Sequence, residues 1–313
     1  MQTTNGAHRD QYTALMAGLA AFEAQHGALP GIVQLSARDT FVQQMISSLR
    51  RIEYIRNMQA RAIDPGRIDP NSSLFDPLKG AALLGQNGDL DEAVWMTFVA
   101  THFGKHVEDA WKLASNVMGS FGSGPTWNFA EYARQPAAFD AMLQAHQADL
   151  ADPKISGRFS NHRQYQSKKP DKIGLVFSTF YDWLIADGDF NTKIRNIHLK
   201  VGQQPTVVFP ALYRSMAPVY GFGRLGNFDF LTMVGKLQLA PIDADSVHMS
   251  GATGPFSGAK LLVQAPGAAA MSRKQIEAVV DRLDDTLHVG KQVLEDSLCN
   301  WQKSPNHYVY FSG

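Results

Sequence analysis

Apolar residues recur every three to four positions along most of the chain, and no stretch sustains the strict alternation of a half-buried strand. Leu15, Met16, Leu19, Ala20 and Phe22 mark a helix over residues 10–26, which Gly27 ends. Phe41, Met45, Ile46, Leu49, Ile52, Ile55 and Met58 form one stripe, so a second helix is expected from about residue 37 to 62, capped by Asp39 or Thr40. Further helices are expected at 79–84, 92–103, 106–118, 131–150 and 173–185, and the segments 193–201 and 207–213 lead into a glycine-rich turn. A last helix runs from a Ser272 cap to about Trp301, with Ile276, Val280, Leu283, Leu287, Leu294 and Leu298 on its apolar face. Gly290 interrupts that face and marks either a kink or a close packing contact. Residues 64–77 form a long loop rich in Pro, Gly, Asn and Ser, of the kind that serves as a lid or contact surface. The pattern as a whole predicts a mainly α protein.

Composition narrows the classes without choosing among them. The 313 residues suffice for one large or two modest domains, and 44% hydrophobic with 19% charged residues is ordinary for a soluble globular chain. A formal net charge of zero argues against a generally sticky nucleic-acid binder but leaves room for a local basic face. The single cysteine, Cys299, excludes an intramolecular disulfide and a cysteine-rich zinc site. No run of eighteen apolar residues predicts a membrane span, and residues 1–6 lack the pattern of a secretory signal, so a cytoplasmic location is the default expectation.

The densest candidate chemistry lies in residues 220–231, YGFGRLGNFDFL, followed by the acidic pair Asp243 and Asp245. Gly221, Gly223 and Gly226 expose backbone in a tight turn, and Phe228, Leu231 and Thr232 continue at helical spacing. Such a turn points N–H groups and a helix N-terminus outward, where a phosphate can sit. A carboxylate twenty residues after Gly223 (Asp243), or two further on (Asp245, followed by Ser246 and His248), would stand beside a bound backbone. The same pattern also describes exposed turn acids after Pro241, or the N-cap of a short helix. Arg158, His162, Arg163, Lys168, Lys169 and Lys172 cluster with Phe159 and Tyr165 between them, a mixture that suits phosphates and an extruded base but also suits a solvated loop. Trp95, His102, Phe103, Lys105 and His106 suggest a pocket wall. His102 and His106 are four apart, yet Gly104 should end their helix and no zincin glutamate lies between them, so no metal site is expected.

The order of the segments 91–106 (DEAVWMTFVATHFGKH), 159–167 (FSNHRQYQS), 220–231, 251–262 (GATGPFSGAKLL) and 294–303 (LEDSLCNWQK) resembles the alpha-glutamyl/putrescinyl thymine pyrophosphorylase-like branch of the helix-hairpin-helix DNA glycosylases. The resemblance spans roughly residues 35–310. It implies a helix-hairpin-helix glycosylase-like helical fold, with 1–34 as an N-terminal helix and extension and 35–313 as the glycosylase-like domain, in one arrangement two lobes with a cleft between them. It implies that Gly221, Gly223 and Arg224 hold the DNA backbone, with Arg158, His162, Arg163, Lys168 and Lys169 as further DNA contacts. Trp95, His102, Phe103 and Tyr165 would line a base pocket.

The same resemblance implies double-stranded DNA, in particular phage DNA with modified bases, as partner. No cofactor and no membrane are expected. Its leading functional expectation is a monofunctional glycosylase that excises alpha-glucosyl-hydroxymethylcytosine and leaves abasic sites in antiphage defence, with Asp243 or Asp245 stabilising the oxocarbenium-like sugar. Leu225 stands where bifunctional members carry a Schiff-base lysine, which points to direct attack by water; Lys236 is a substitute. Two alternatives remain: a transferase that couples an amino acid or polyamine to pyrophosphorylated hydroxymethyluracil in DNA, and a non-catalytic binder of modified DNA.

Overall fold

A computed structural model describes residues 7–162 and 165–310. Arg163 lies outside the described residues. Every regular element within them is helical, so the mainly α class read from the apolar period holds. The chain forms two compact units, Ile55–Asp243 and a second made of Met1–Tyr54 with Ala244–Gly313.

The unit built from both chain ends contains α1 (Ala7–His26), most of α2 (Leu35–Gln59), α14 (Gly254–Val263), α15 (Arg273–Leu287) and α16 (Lys291–Trp301). Its core joins Leu19 and Phe22 of α1 to Phe41 and Met45 of α2, Ile276 and Val280 of α15, and Leu294, Leu298 and Trp301 of α16. Trp301 is fully buried, and its indole N–H donates to the Ala37 carbonyl at 3.1 Å, which removes the penalty of burying that group. Two expectations change here. Helix α2 starts at Leu35, ahead of Asp39 and Thr40, because Asp39 instead accepts from the Tyr12 hydroxyl at 2.8 Å and from the Gln43 amide at 2.6 Å. The terminal helix is two helices. His288 takes a left-handed φ of 52°, Gly290 follows at φ 93°, and the Gly290 N–H is held by Asp284 Oδ1 at 2.7 Å. No neighbour crowds Gly290, so it marks a break in direction rather than a close contact.

The middle unit holds α3 (Pro77–Gln86), α4 (Leu90–Phe103), α5 (Lys112–Met118), α6 (Phe129–Arg134), α7 (Pro136–Ala145), α8 (Gln147–Ala151), α9 (Pro153–Ser156), α10 (Ile173–Ile185), α11 (Phe190–Val201), α12 (Pro205–Ser215) and α13 (Arg224–Lys236). Helix α4 is its axis. Every side chain from Ala93 to Ala100 is buried, as expected of a helix apolar on all sides, and α3, α5, α6, α11 and α13 pack around it. Its one mid-helix hydroxyl, Thr97, donates to the Ala93 carbonyl at 2.7 Å. The helix expected over 106–118 starts only at Lys112. Residues 106–110 close on themselves through reciprocal backbone bonds between His106 and Ala110, and Ala110 adopts a φ of 50° that no α-helix accepts.

Candidate active site

The C-terminal turn of α4, the segment after α9, and the glycine turn before α13 converge within the middle unit. Gly104 ends α4 with a φ of 62°, which lets Tyr165 pack against its backbone; a β-carbon there would lie 2.5 Å from the Tyr165 ring. The Tyr165 hydroxyl donates to the Thr101 carbonyl at 3.0 Å. Tyr165 thereby pins the run 157–172 to the end of α4 and turns Lys168 inward, away from the solvated face that its neighbours in sequence share.

Lys168 Nζ lies 3.2 Å from His102 Nδ1. It sits 5.1 Å from the centroid of Phe222 and 5.7 Å from that of Tyr165. Around His102 stand Phe98, Phe103, Phe159, Phe177 and Phe222, with ring centroids within 6.4 Å. Burial in this aromatic box pushes the Lys168 ammonium down to about 8, while Asp229 of α13 pulls it upward. Burial, with Lys168 beside it, holds His102 well below the usual imidazole range. A neutral His102 that accepts from Lys168 at Nδ1 carries its proton on Nε2. That Nε2 is buried and has no hydrogen-bond partner among the described residues. An unsatisfied buried donor costs about 1–3 kcal/mol, which a fold retains where a ligand completes the bond.

The glycine turn has the expected order, α12, turn, α13. Gly221 takes φ 70°, and Gly223 is the N-cap residue of α13 without a capping side chain. Nothing lies within 4 Å of a β-carbon at Gly223, so the first N–H groups of α13 face open space. Phe222, between the two glycines, is buried and forms a wall of the Lys168–His102 box. Arg224 stacks over Phe228 at 5.1 Å and its carbonyl accepts from the Tyr213 hydroxyl at 3.3 Å.

The remaining sequence candidates fall elsewhere. Trp95 is fully buried at mid-α4, bonded to the Trp127 carbonyl at 3.0 Å and ringed by Phe98, Phe129, Tyr132, Phe177 and Phe180, so it is a core residue and not a pocket wall. Arg158 is bound by Asp109 at 2.7 Å and Glu108 at 2.5 Å, and its guanidinium holds the Asp109 carboxyl below the usual range. Lys169 is exposed and His162 half-buried. Asp243 is exposed on the chain after α13, with its N–H donating to the Pro205 carbonyl at 3.3 Å. Asp245 belongs to the other unit and binds His248 Nε2 at 2.9 Å. His106 is buried apart from His102, and its Nδ1 accepts the N–H groups of Glu108 and Asp109 at 3.2 and 3.1 Å. Together with those two acids it forms a potential metal cluster, but Arg158 already neutralises the carboxylates.

Sequence reasoning named His102, Lys168, Phe103 and Tyr165 but not their pairing, and it missed Phe177 and Asp229. It read Phe222 only as part of a turn. The usable signal was a lysine in a run broken by aromatics, but nothing in spacing joins residues 66 apart.

Residues 70–308 match the family described as Amino acid:DNA transferase. No curated protein and no solved structure matches the chain. No helix among the described residues is long and apolar enough to cross a membrane.

Proposed function

The chain belongs to the amino acid:DNA transferase family, and from that premise we propose that it joins an amino acid, through its amine, to an activated base in DNA. The observation that carries this reading is the Lys168–His102 pair, an amine pushed to about 8 beside a neutral imidazole with an unpaired buried nitrogen. Joining an amine to a base needs a proton acceptor, because an ammonium has no lone pair with which to attack. A lysine titrating near 8 is partly neutral at physiological pH and takes that proton.

The substrate that suits this chemistry is the pyrophosphorylated hydroxymethyluracil already weighed from the sequence. The amine nitrogen forms a bond to the exocyclic CH2 carbon of the base. The C–O bond to pyrophosphate breaks with its electron pair, and the ammonium proton passes to neutral Lys168. The His102 Nε2–H offers a donor for a base carbonyl, and the surrounding Phe rings offer stacking surfaces for an extruded base. The open N-terminus of α13, with Gly221, Gly223 and Arg224, suits a phosphate of the DNA or the departing pyrophosphate.

The excision reading draws less support. It needs Asp243 or Asp245 as an uncommitted carboxylate, yet Asp245 is paired with His248, and the family is one of transfer rather than hydrolysis. One experiment separates the outcomes. DNA carrying pyrophosphorylated hydroxymethyluracil is incubated with the protein and mixed amino acids, then digested to nucleosides for mass spectrometry. A nucleoside enlarged by one amino acid, lost in Lys168→Met, is the expected result. Free base with abasic sites would restore the glycosylase. Absence of either product would leave a binder.

A further inference from the structure

A second site lies at the opposite end of α4. A cleft of about 360 Å³ opens between the 64–76 loop, the first turns of α4, and residues 126–128. Its floor is apolar, with Met96, Met118 and the Trp127 ring; its polar groups include Glu92, Asp69 and Asn128. No lysine, arginine or histidine lines it.

Glu92 is held in one orientation. Its Oε2 accepts the Phe129 N–H at 2.9 Å and its Oε1 the Ala130 N–H at 3.0 Å, both at the start of α6. Each oxygen retains capacity for a further bond. Burial raises the Glu92 carboxyl above its usual range, the two backbone bonds lower it, and Asp89 and Asp91 add to the rise. Neither Glu92 nor Asp69 forms an ion pair with a basic side chain among the described residues. Opposite in character is Trp127. It is 1% exposed, lines the same cleft, and its indole N–H has no acceptor among the described residues. A negative rim and an unpaired buried donor on one apolar floor ask for a ligand with both complementary groups.

We propose that this cleft binds a small molecule bearing a protonated amine and a hydrogen-bond-accepting oxygen joined by a short apolar chain. The ammonium lies against Glu92 and Asp69, and the oxygen accepts from the Trp127 indole. The chain covers Met96 and Met118. Glu92 and His102 are ten residues apart on one helix, about 15 Å along its axis, so this ligand does not share atoms with the Lys168 chemistry. The proposal stands independently of the transferase reading.

The test uses the full chain and three probes, 5-aminopentan-1-ol, pentylammonium and pentane-1,5-diol, by titration calorimetry and by the indole N–H resonances of 15N-labelled protein. The amino alcohol should bind tightest, and the neutral diol about tenfold or more weaker, the scale of one charge-assisted hydrogen bond. Its binding should shift one indole resonance that Trp127→Phe removes. In Trp127→Phe the preference for amino alcohol over pentylammonium should vanish. Glu92→Gln should weaken amine binding about tenfold, and Asp69→Asn severalfold. Asp69 is on an exposed loop, so its variant remains informative even if Glu92→Gln disturbs α6. Equal affinity for diol and amino alcohol, no binding by any probe, or affinities untouched by both acid variants would overturn the proposal.

Discussion

At the scale of single residues, Lys168 and His102 make opposite demands on pH. Lys168 accepts a proton only when neutral, so the transfer rate should rise with pH through about 8 and then level. Lys168→Arg, which stays charged across that range, should abolish the rise along with the activity; a profile unchanged in Lys168→Arg would exclude this lysine as the acceptor. Stability carries the same signature with a calculable sign. An unfolded lysine titrates near 10.4, so between about 8 and that value the unfolded chain holds the extra proton. Stability therefore rises with pH across that window, and below about 8 the penalty of the buried charge is fully present. Urea midpoints near pH 7.5 and pH 9.5 should thus diverge in the wild type more than in Lys168→Met. His102→Phe removes the unpaired nitrogen while keeping an aromatic ring among aromatic rings. It should abolish transfer yet change stability by only about 1 kcal/mol, because the lost bond to Lys168 is offset by the lost orphan donor. This pair also shows why the site was only half legible. Chemistry-bearing residue types are visible in a sequence, but which basic side chain turns inward depends on Tyr165 packing on Gly104, a tertiary fact.

At the scale of elements, the apolar period located nearly every helix, since burial of one stripe is what fixes a helix in a protein. It failed where local backbone chemistry overrides the stripe, at the 106–110 turn and at the His288–Gly290 break. The same period could not show how closely helices approach. Gly258 of α14 sits against the Leu298 backbone of α16, and a β-carbon there would fall inside the radius of the Leu298 carbonyl oxygen. Gly258→Ala should cost about 2–3 kcal/mol in chemical denaturation, because the obstacle is backbone that cannot swing aside. The Ser272 cap was legible, and it forms a full capping box with Gln275. Ser272→Ala should cost about 1 kcal/mol. Gly223 separates fold from function at the start of α13. Gly223→Asp supplies a capping carboxylate at an uncrowded N-cap with ordinary φ, so stability should hold or rise by a few tenths of a kcal/mol. The added charge at the same spot repels phosphate, so DNA affinity should fall. Unchanged affinity would remove this helix end from the DNA contacts.

At the scale of the whole molecule, charge is balanced locally as well as in total. Arg158 is bound to Glu108 and Asp109, Lys193 to Asp187, Arg51 to Asp296, and Lys291 to Asp281 and Asp284. The sequence count of zero could have hidden one strongly basic face offset by an acidic one. These pairings instead remove several cations that a linear reading assigns to phosphates, Arg158 among them. Affinity for DNA scales with salt by about 0.9 per neutralised phosphate. A protein that wraps the duplex in a basic channel shows a slope near ten on that scale, and one that holds it by a helix end and a few side chains shows about two to four. Fluorescence anisotropy with a short duplex, titrated across salt, should give the shallow slope. Gly223→Asp should reduce affinity at each salt concentration, and Arg158→Ala should leave it nearly unchanged because its guanidinium already serves two carboxylates. A steep slope, or a large loss in Arg158→Ala, would mean that DNA pulls this arginine away from its acids and that the surface rearranges on binding.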